Sequence, residues 1–239
     1  MSYTNQTVLV SGANRGIGVA TVRELLKTDV KKIYAGARRL DSLPDFGDAR
    51  VVPLQLDITD QASVDAAAKT AADADILLNN AGTAVLANFI DSPIELINGD
   101  MDVNYYGTLR IIRAFTPLFT ARKSGTIANV ISVVGLTSAP GLAGYSASKA
   151  ALQSLTQTLR ATLKGSGIKV LGIYPGPIDT DLAKDIPMEK ATPEHAARHI
   201  VAGIAAHETY IFPDPVALQI GHLWATDGKT LDTALAGEG

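Results

Sequence analysis

Short runs rich in β-branched and aliphatic residues alternate along this chain with longer stretches in which apolar positions recur every three or four residues. The runs are Val8–Val10, Ile33–Ala35, Val51–Leu56, Ile76–Leu78, Ile127–Ile131, Val170–Ile173 and Tyr210–Phe212, and each reads as a strand. The stretches Ile17–Lys27, Gln61–Ala72, Ile94–Arg122, Ala143–Lys164 and Pro193–His207 read as helices. The last begins with Thr192 as N-cap and Pro193 at the first helical position, where a missing N–H costs nothing. Strands that are apolar throughout, alternating with amphipathic helices, are what a parallel sheet covered on both faces requires. The expected fold is therefore α/β, a doubly wound parallel sheet of seven strands with helices on both faces. Ligands in such sheets gather at the carboxyl ends of the strands.

No Ser/Gly-rich or Pro-rich stretch divides the 239 residues and no repeat appears beyond the alternation itself, so one domain over 1–239 is expected. Hydrophobic residues make up 46% and charged residues 19%, a balance that permits a substantial core. A formal charge of −3, without a long Lys/Arg run, offers no broad attraction to nucleic acid or an anionic membrane and leaves small molecules as the expected partners. The chain has no cysteine, which excludes disulfides and thiolate chemistry and suits a reducing compartment. The polar N-terminus and the absence of a membrane-length apolar stretch make the cytoplasm the expected location.

Ser11-Gly12-Ala13-Asn14-Arg15-Gly16-Ile17-Gly18 follows the first strand and opens the first helix. Backbone amides at such a turn can meet a diphosphate, so Gly12, Asn14, Arg15, Gly16, Ile17 and Gly18 are candidate cofactor residues. The competing reading is a glycine-rich turn without a ligand. NAD-binding folds carry an acidic residue about 20 positions beyond the glycines, on the ribose 2′-hydroxyl. Here Ala37-Arg38-Arg39 stands at the end of the second strand, and two guanidinium groups suit a 2′-phosphate, with Arg15 placed to reach it from the glycine loop. NADP(H) is therefore expected over NAD(H), the alternative for each arginine being a solvated surface charge.

Tyr145 and Lys149 lie four residues apart in a helical stretch, which places both on one face. A neighbouring ammonium can lower a phenol pKa, and bringing it from about 10 to roughly 7 is worth about 4 kcal/mol of differential stabilisation. Asn79-Asn80-Ala81-Gly82 ends the fourth strand, Asn104 lies in the next helix, Ser132 ends the fifth strand, and Pro175-Gly176-Pro177-Ile178-Asp179-Thr180 follows the sixth. In this order and combination the chain resembles the short-chain dehydrogenase/reductase family, over about Thr7 to Thr180.

That resemblance implies a Rossmann-type fold and a set of roles. Tyr145 would exchange a proton with the carbonyl or alcohol oxygen, and Ser132 would hold that oxygen. Lys149 would bind the nicotinamide ribose and favour the tyrosinate, and Asn104 would hold a water linking Lys149 to solvent. Asp57 would meet the adenine edge, Asn80 and Gly82 would pass backbone along the adenosine ribose, and Pro175, Gly176, Ile178 and Thr180 would engage the nicotinamide side. For Asn79, Asp57 and Thr180 a turn or capping role is the competing reading.

The chain departs from the family pattern in having Ser11 where threonine is usual, in a short lid at about 181–192, and in an atypical C-terminal segment at about 213–239. Leu182, Ile186 and Met188 are expected to close over a substrate, and the apolar residues Val216, Leu218, Ile220, Leu223 and Trp224 to form a packed helix or a subunit contact. A homo-oligomer is expected, a dimer on the long helices more securely than a tetramer. His195 and His199 lack the intervening glutamate of a zinc motif and no metal is expected.

The expected substrate wall, Val133, Val134, Leu136, Ala139, Leu142, Ala84 and Leu86, is apolar. It points to an NADPH-dependent reductase for a ketone or aldehyde with a hydrophobic substituent. A 3-oxoacyl-carrier-protein reductase is the alternative within the same chemistry, for which Arg113, Arg122 and Lys123 are a thin basic patch. A non-catalytic NADP(H)-binding sensor is the alternative of another class, and an epimerase or dehydratase would need a larger substrate domain.

Overall fold

The computed structural model describes residues 3–184, 188–228 and 230–231. Seven parallel strands form one sheet: β1 (Thr7–Ser11), β2 (Lys32–Ala37), β3 (Val51–Gln55), β4 (Ile76–Asn79), β5 (Gly125–Val130), β6 (Ile168–Ile173) and β7 (Tyr210–Ile211). Their order is β3-β2-β1-β4-β5-β6-β7. All seven runs read from the sequence are strands, each within a few residues of its expected bounds.

The helices are α1 (Gly16–Leu25), α2 (Gln61–Thr70), α3 (Ile94–Asp100), α4 (Thr108–Arg122), α5 (Ala143–Thr162), α6 (Pro193–Ala205) and α7 (Pro215–Thr226). Side chains along a strand point alternately to the two faces of the sheet. Val8 and Val10 accordingly pack with Val22 and Leu25 of α1 and Ile200 and Ile204 of α6. Leu9 faces the other way, into a cluster with Val64 of α2 and Ile111, Phe115 and Phe119 of α4. Pro53 is tolerated in β3 because that strand lies at the sheet edge.

The helix expected over Ile94–Arg122 is not continuous, because Met101–Gly107 forms a π-helix between α3 and α4. The buried positions of the π-helix are Asn104 and Gly107, and Asp100 is the buried position before them, so polar and small residues interrupt the apolar face there. Among the described residues, no helix is long and apolar enough to cross a membrane.

Candidate active site

Strand order reverses between β1 and β4, and the loops that leave these two neighbours diverge to opposite faces, opening a crevice at their carboxyl ends. Both loops are built for close approach. Gly12 has φ +66, and a Cβ there would lie 2.8 Å from the Ala81 Cα; a Cβ on Gly18 would lie 2.0 Å from the Gly12 carbonyl oxygen. Asn80 locks the two loops together, its Nδ2 donating to the Ser11 and Gly12 carbonyls at 3.0 and 3.1 Å. The Ser11 hydroxyl in turn accepts from the Asn80 and Ala81 amides, both at 3.0 Å. The hydroxyl kept in the Ser-for-Thr departure thus orders the second loop, and Asn80 contributes a side chain where only backbone was expected.

Arg15, Arg38 and Arg39 are exposed at the rim of this crevice. Arg39 lies 3.7 Å from Asp41 in a pair about 80% exposed, which holds it weakly. Asp57 accepts from the Thr59 amide and hydroxyl at 2.9 and 2.7 Å. Burial opposes its ionisation, but these bonds and the charge of Arg38 hold its carboxyl below the usual range. After β6, Thr180 lies against the glycine turn, its Cγ2 3.0 Å from where a Cβ on Gly16 would stand. Ile178 points the other way, into the core. The base of the following segment is pinched shut, the Asp179 amide donating to Ala191 O at 2.9 Å and the Ala191 amide to Pro177 O at 3.1 Å. Leu182 and Met188 are exposed on it, and Ile186 lies outside the described residues. Backbone this crowded, with exposed guanidinium groups at its rim, fits a phosphorylated dinucleotide.

Ser132, Tyr145, Lys149 and Asn104 meet beside this cradle. Ser132 donates to the Pro175 carbonyl at 3.3 Å and accepts from the Val134 amide at 3.3 Å, and it lies close enough to Tyr145 to lower the phenol's pKa. The Lys149 Nζ lies 5.5 Å from the Tyr145 ring centroid and donates to the Val130 carbonyl at 2.9 Å. Asn104, fully buried within the π-helix, is held on three sides. Its Oδ1 accepts from the Thr83 amide at 2.9 Å, and its Nδ2 donates to the Thr83 carbonyl at 2.8 Å and the Ser148 hydroxyl at 2.9 Å. A π-turn is a frequent marker of a functional position, since it shifts the residues it carries out of α-helical register.

The electrostatics of the pair differ from the sequence expectation. Burial dominates and pushes the Tyr145 phenol up to about 12; the Ser132 hydrogen bond pulls it down, and the charge of Asp100 pushes it up. Burial likewise takes the Lys149 ammonium down to about 8, with Asp100 pulling it back up. The lowering of Tyr145 by Lys149 therefore does not govern the site in this state.

The expected substrate wall divides in two. Ala84, Leu86 and Leu142 line a cleft of about 420 Å³ together with Thr83, Val85 and Leu182, and with Arg15, Asp181 and Lys184 at its mouth. Val133 and Val134 are instead buried with Ala217 and Ile220 of α7. They follow Ser132 in a tight 3₁₀ turn that aims both side chains at α7. Sequence reasoning missed Ser148, Asp100 and Asp214. Asp214 is 1% exposed; it caps α7 through the Ala217 amide at 2.9 Å and holds the Gly176 amide at 2.8 Å. Its signal was available, since Asp214-Pro215 repeats the N-cap and proline logic of Thr192-Pro193.

The family model for short chain dehydrogenases matches residues 6–191. The chain belongs to the short-chain dehydrogenase/reductase family. It is 29% identical to an NADP-dependent 3-hydroxy acid dehydrogenase of Schizosaccharomyces pombe, over 87% of this chain and 90% of that one. It is 32% identical to a 3-oxoacyl-[acyl-carrier-protein] reductase of Synechocystis, over 79% and 80%. A short chain dehydrogenase from Burkholderia cenocepacia, solved in complex with NADP, is 33% identical and superposes over 98% of this chain and 99% of that one with a TM-score of 0.92. As a short-chain dehydrogenase/reductase, the protein is an oxidoreductase acting on CH–OH groups. Its seven-stranded sheet with helices on both faces is that of the family.

Proposed function

We propose that this protein is an NADPH-dependent carbonyl reductase, equivalently an alcohol dehydrogenase in the reverse direction, for a ketone or aldehyde with an apolar substituent. The observation that carries this reading is the meeting of Tyr145, Ser132 and Lys149 beside the glycine cradle, where a hydroxyl pair and a buried ammonium face one small volume. The NADP(H) assignment is supported by the three exposed arginines, where an NAD site would carry a carboxylate, and by the NADP-dependent and NADP-bound relatives.

Bound NADPH would supply the hydride. Tyr145 gives its proton to the carbonyl oxygen as negative charge develops there. Ser132 would donate a hydrogen bond to the same oxygen and so hold it toward the phenol. Lys149, four residues on from Tyr145, stabilises the tyrosinate left behind and holds ribose hydroxyls. Asn104, clamped by Thr83 and Ser148, keeps its turn in place for a water through which Tyr145 and Lys149 recover a proton. A phenol held at about 12 is fully protonated at neutral pH, which is the form that carbonyl reduction uses. Ala84, Leu86, Leu142 and Leu182 receive the apolar substituent.

A carrier-protein thioester has less support as substrate. Arg122 donates to the Ala72 and Ala74 carbonyls beside the start of β5, at the opposite end of the sheet from the cleft, and Lys123 lies next to it. The test is NADPH oxidation across aldehydes, ketones and acyl thioesters with Tyr145→Phe in parallel. Loss of about 10²–10⁴-fold in turnover, with NADPH still bound, is expected for the variant. No turnover of any carbonyl by wild-type protein that binds NADPH tightly would favour a non-catalytic NADP(H)-binding sensor instead.

A further inference from the structure

One buried ionisable group next to the site has no part in the scheme above. Asp100, the last residue of α3, is fully buried. Its Oδ1 has no hydrogen-bond partner among the described residues, and its Oδ2 accepts only a long bond, 3.4 Å, from the Val85 amide. A carboxylate kept out of water on such terms is strongly disfavoured unless charge nearby compensates. Among the described residues, no cation is bonded to it. Its carboxyl lies instead against the first turn of α5, 3.2 Å from where a Cβ on Gly144 would stand, and a Cβ there would also lie 2.8 Å from the Ile97 Cα. Position 144 must therefore be glycine for the carboxyl to approach so closely, and the next residue is Tyr145.

The groups that face Asp100 can be enumerated. From α5 come Tyr145 and Lys149, both electrostatically coupled to it. The segment Thr83–Ala87 carries no titratable side chain. On its own helical stretch, Glu95 is exposed and Asp102 is 3.1 Å from Arg110. Arg15, Asp181 and Lys184 stand at the cleft mouth with Val85 in the lining. The coupling of Asp100 is thus chiefly to the reactive pair, and burial raises its own carboxyl to about 6, so it is charged at neutral pH and above.

We propose that Asp100 is a positioning residue for the Tyr145–Lys149 pair, its buried carboxylate keeping the ammonium charged and the phenol protonated and so favouring the acid form that reduction requires. A negative charge beside a phenol opposes loss of its proton, and beside an ammonium opposes loss of that one too. Removing it makes both protons leave at lower pH.

This inference rests on the proposed acid–base role of Tyr145, and its test reads the phenol directly. The tyrosinate absorbance of the NADP⁺ complex is followed against pH for wild type and for Asp100→Asn, subtracting the Tyr145→Phe version of each to remove the other six of the seven tyrosines. The Tyr145 midpoint is expected to fall by about one pH unit in Asp100→Asn, a tenfold gain in its dissociation constant. The alkaline limb of carbonyl reduction should move down with it. A midpoint that stays or rises in the folded variant would overturn the proposal; Asp100→Ser replaces the amide should Asn not fold. Absence of turnover in wild type would sink the reductase reading alone, because the titration decides Asp100 without any substrate.

Discussion

On the proposed reading, Arg15, Arg38 and Arg39 carry cofactor choice, Arg39 being held only weakly by Asp41 and Arg38 acting on Asp57 through its charge alone. A phosphate held by charge-assisted hydrogen bonds gains about 1.5–3 kcal/mol from each such contact, whereas an unphosphorylated ribose gains none from the same groups. The double variant Arg38→Ala/Arg39→Ala is therefore expected to raise the NADPH Kd by about 10–100-fold while leaving that of NADH nearly unchanged, as read by fluorescence titration with both cofactors. An equal loss for the two would show that the arginines act on the fold and not on the phosphate. These side chains were legible because their chemistry is local to the end of one strand. Asp100 was not, because an acid on a helix reads as a solvated charge until packing shows which face is covered. Four positions before Asn104 on a largely apolar stretch, it could have been flagged only by asking why that face holds two polar residues.

Elements decide how these residues are held. The interval Ile94–Arg122 contains two α-helices and the π-turn that carries Asn104, and Pro117 lies inside α4 without ending it. A single extra residue per turn is a small departure from the helical period, and with Asp100, Asn104 and Gly107 as the buried positions there was no apolar stripe in which it could show. The start of α7 is the clearer case of an element reaching the site. Asp214 satisfies the amide of its own helix and that of Gly176, so one side chain joins the C-terminal helix to the loop after β6. Asp214→Ala should lose about 1–3 kcal/mol, combining a lost cap with an unpaired, partly buried amide at Gly176, and lower Tm by roughly 2–10 °C. Asp214→Asn keeps an acceptor for one amide and should recover part of that loss. Calorimetry of both variants checks it, and equal melting of Asp214→Ala and wild type would remove the tie.

At the scale of the molecule, the crevice exists because strand order reverses between β1 and β4, and its far wall exists because α7 folds over the turn after Ser132. Ile220, 5% exposed, packs there with Val133 and Val134. Ile220→Ala should cost about 2–4 kcal/mol and let the Ser132 turn relax, raising KM for the carbonyl substrate while the NADPH Kd stays within about twofold. A variant that weakens both equally would mean that α7 supports the fold generally and has no special hold on the substrate side.

The sequence by itself determined the seven strands, their alternation with helices, the glycine turn, the arginine pair and the helical spacing of Tyr145 and Lys149, whereas Asn104 and Ser132 were singled out only by the family resemblance. The strands, helices and turn are local signals, set by side-chain periodicity or by the conformations that glycine, proline and capping residues permit within a few positions. Only the tertiary structure decided that Val133 and Val134 face α7, that Ile178 points into the core, that Asp214 reaches back to Gly176, and that Asp100 is sealed against Gly144. The charge state of the reactive pair also belongs there, because desolvation depends on every element packed around a group, and burial outweighs the single neighbour that helix spacing could predict.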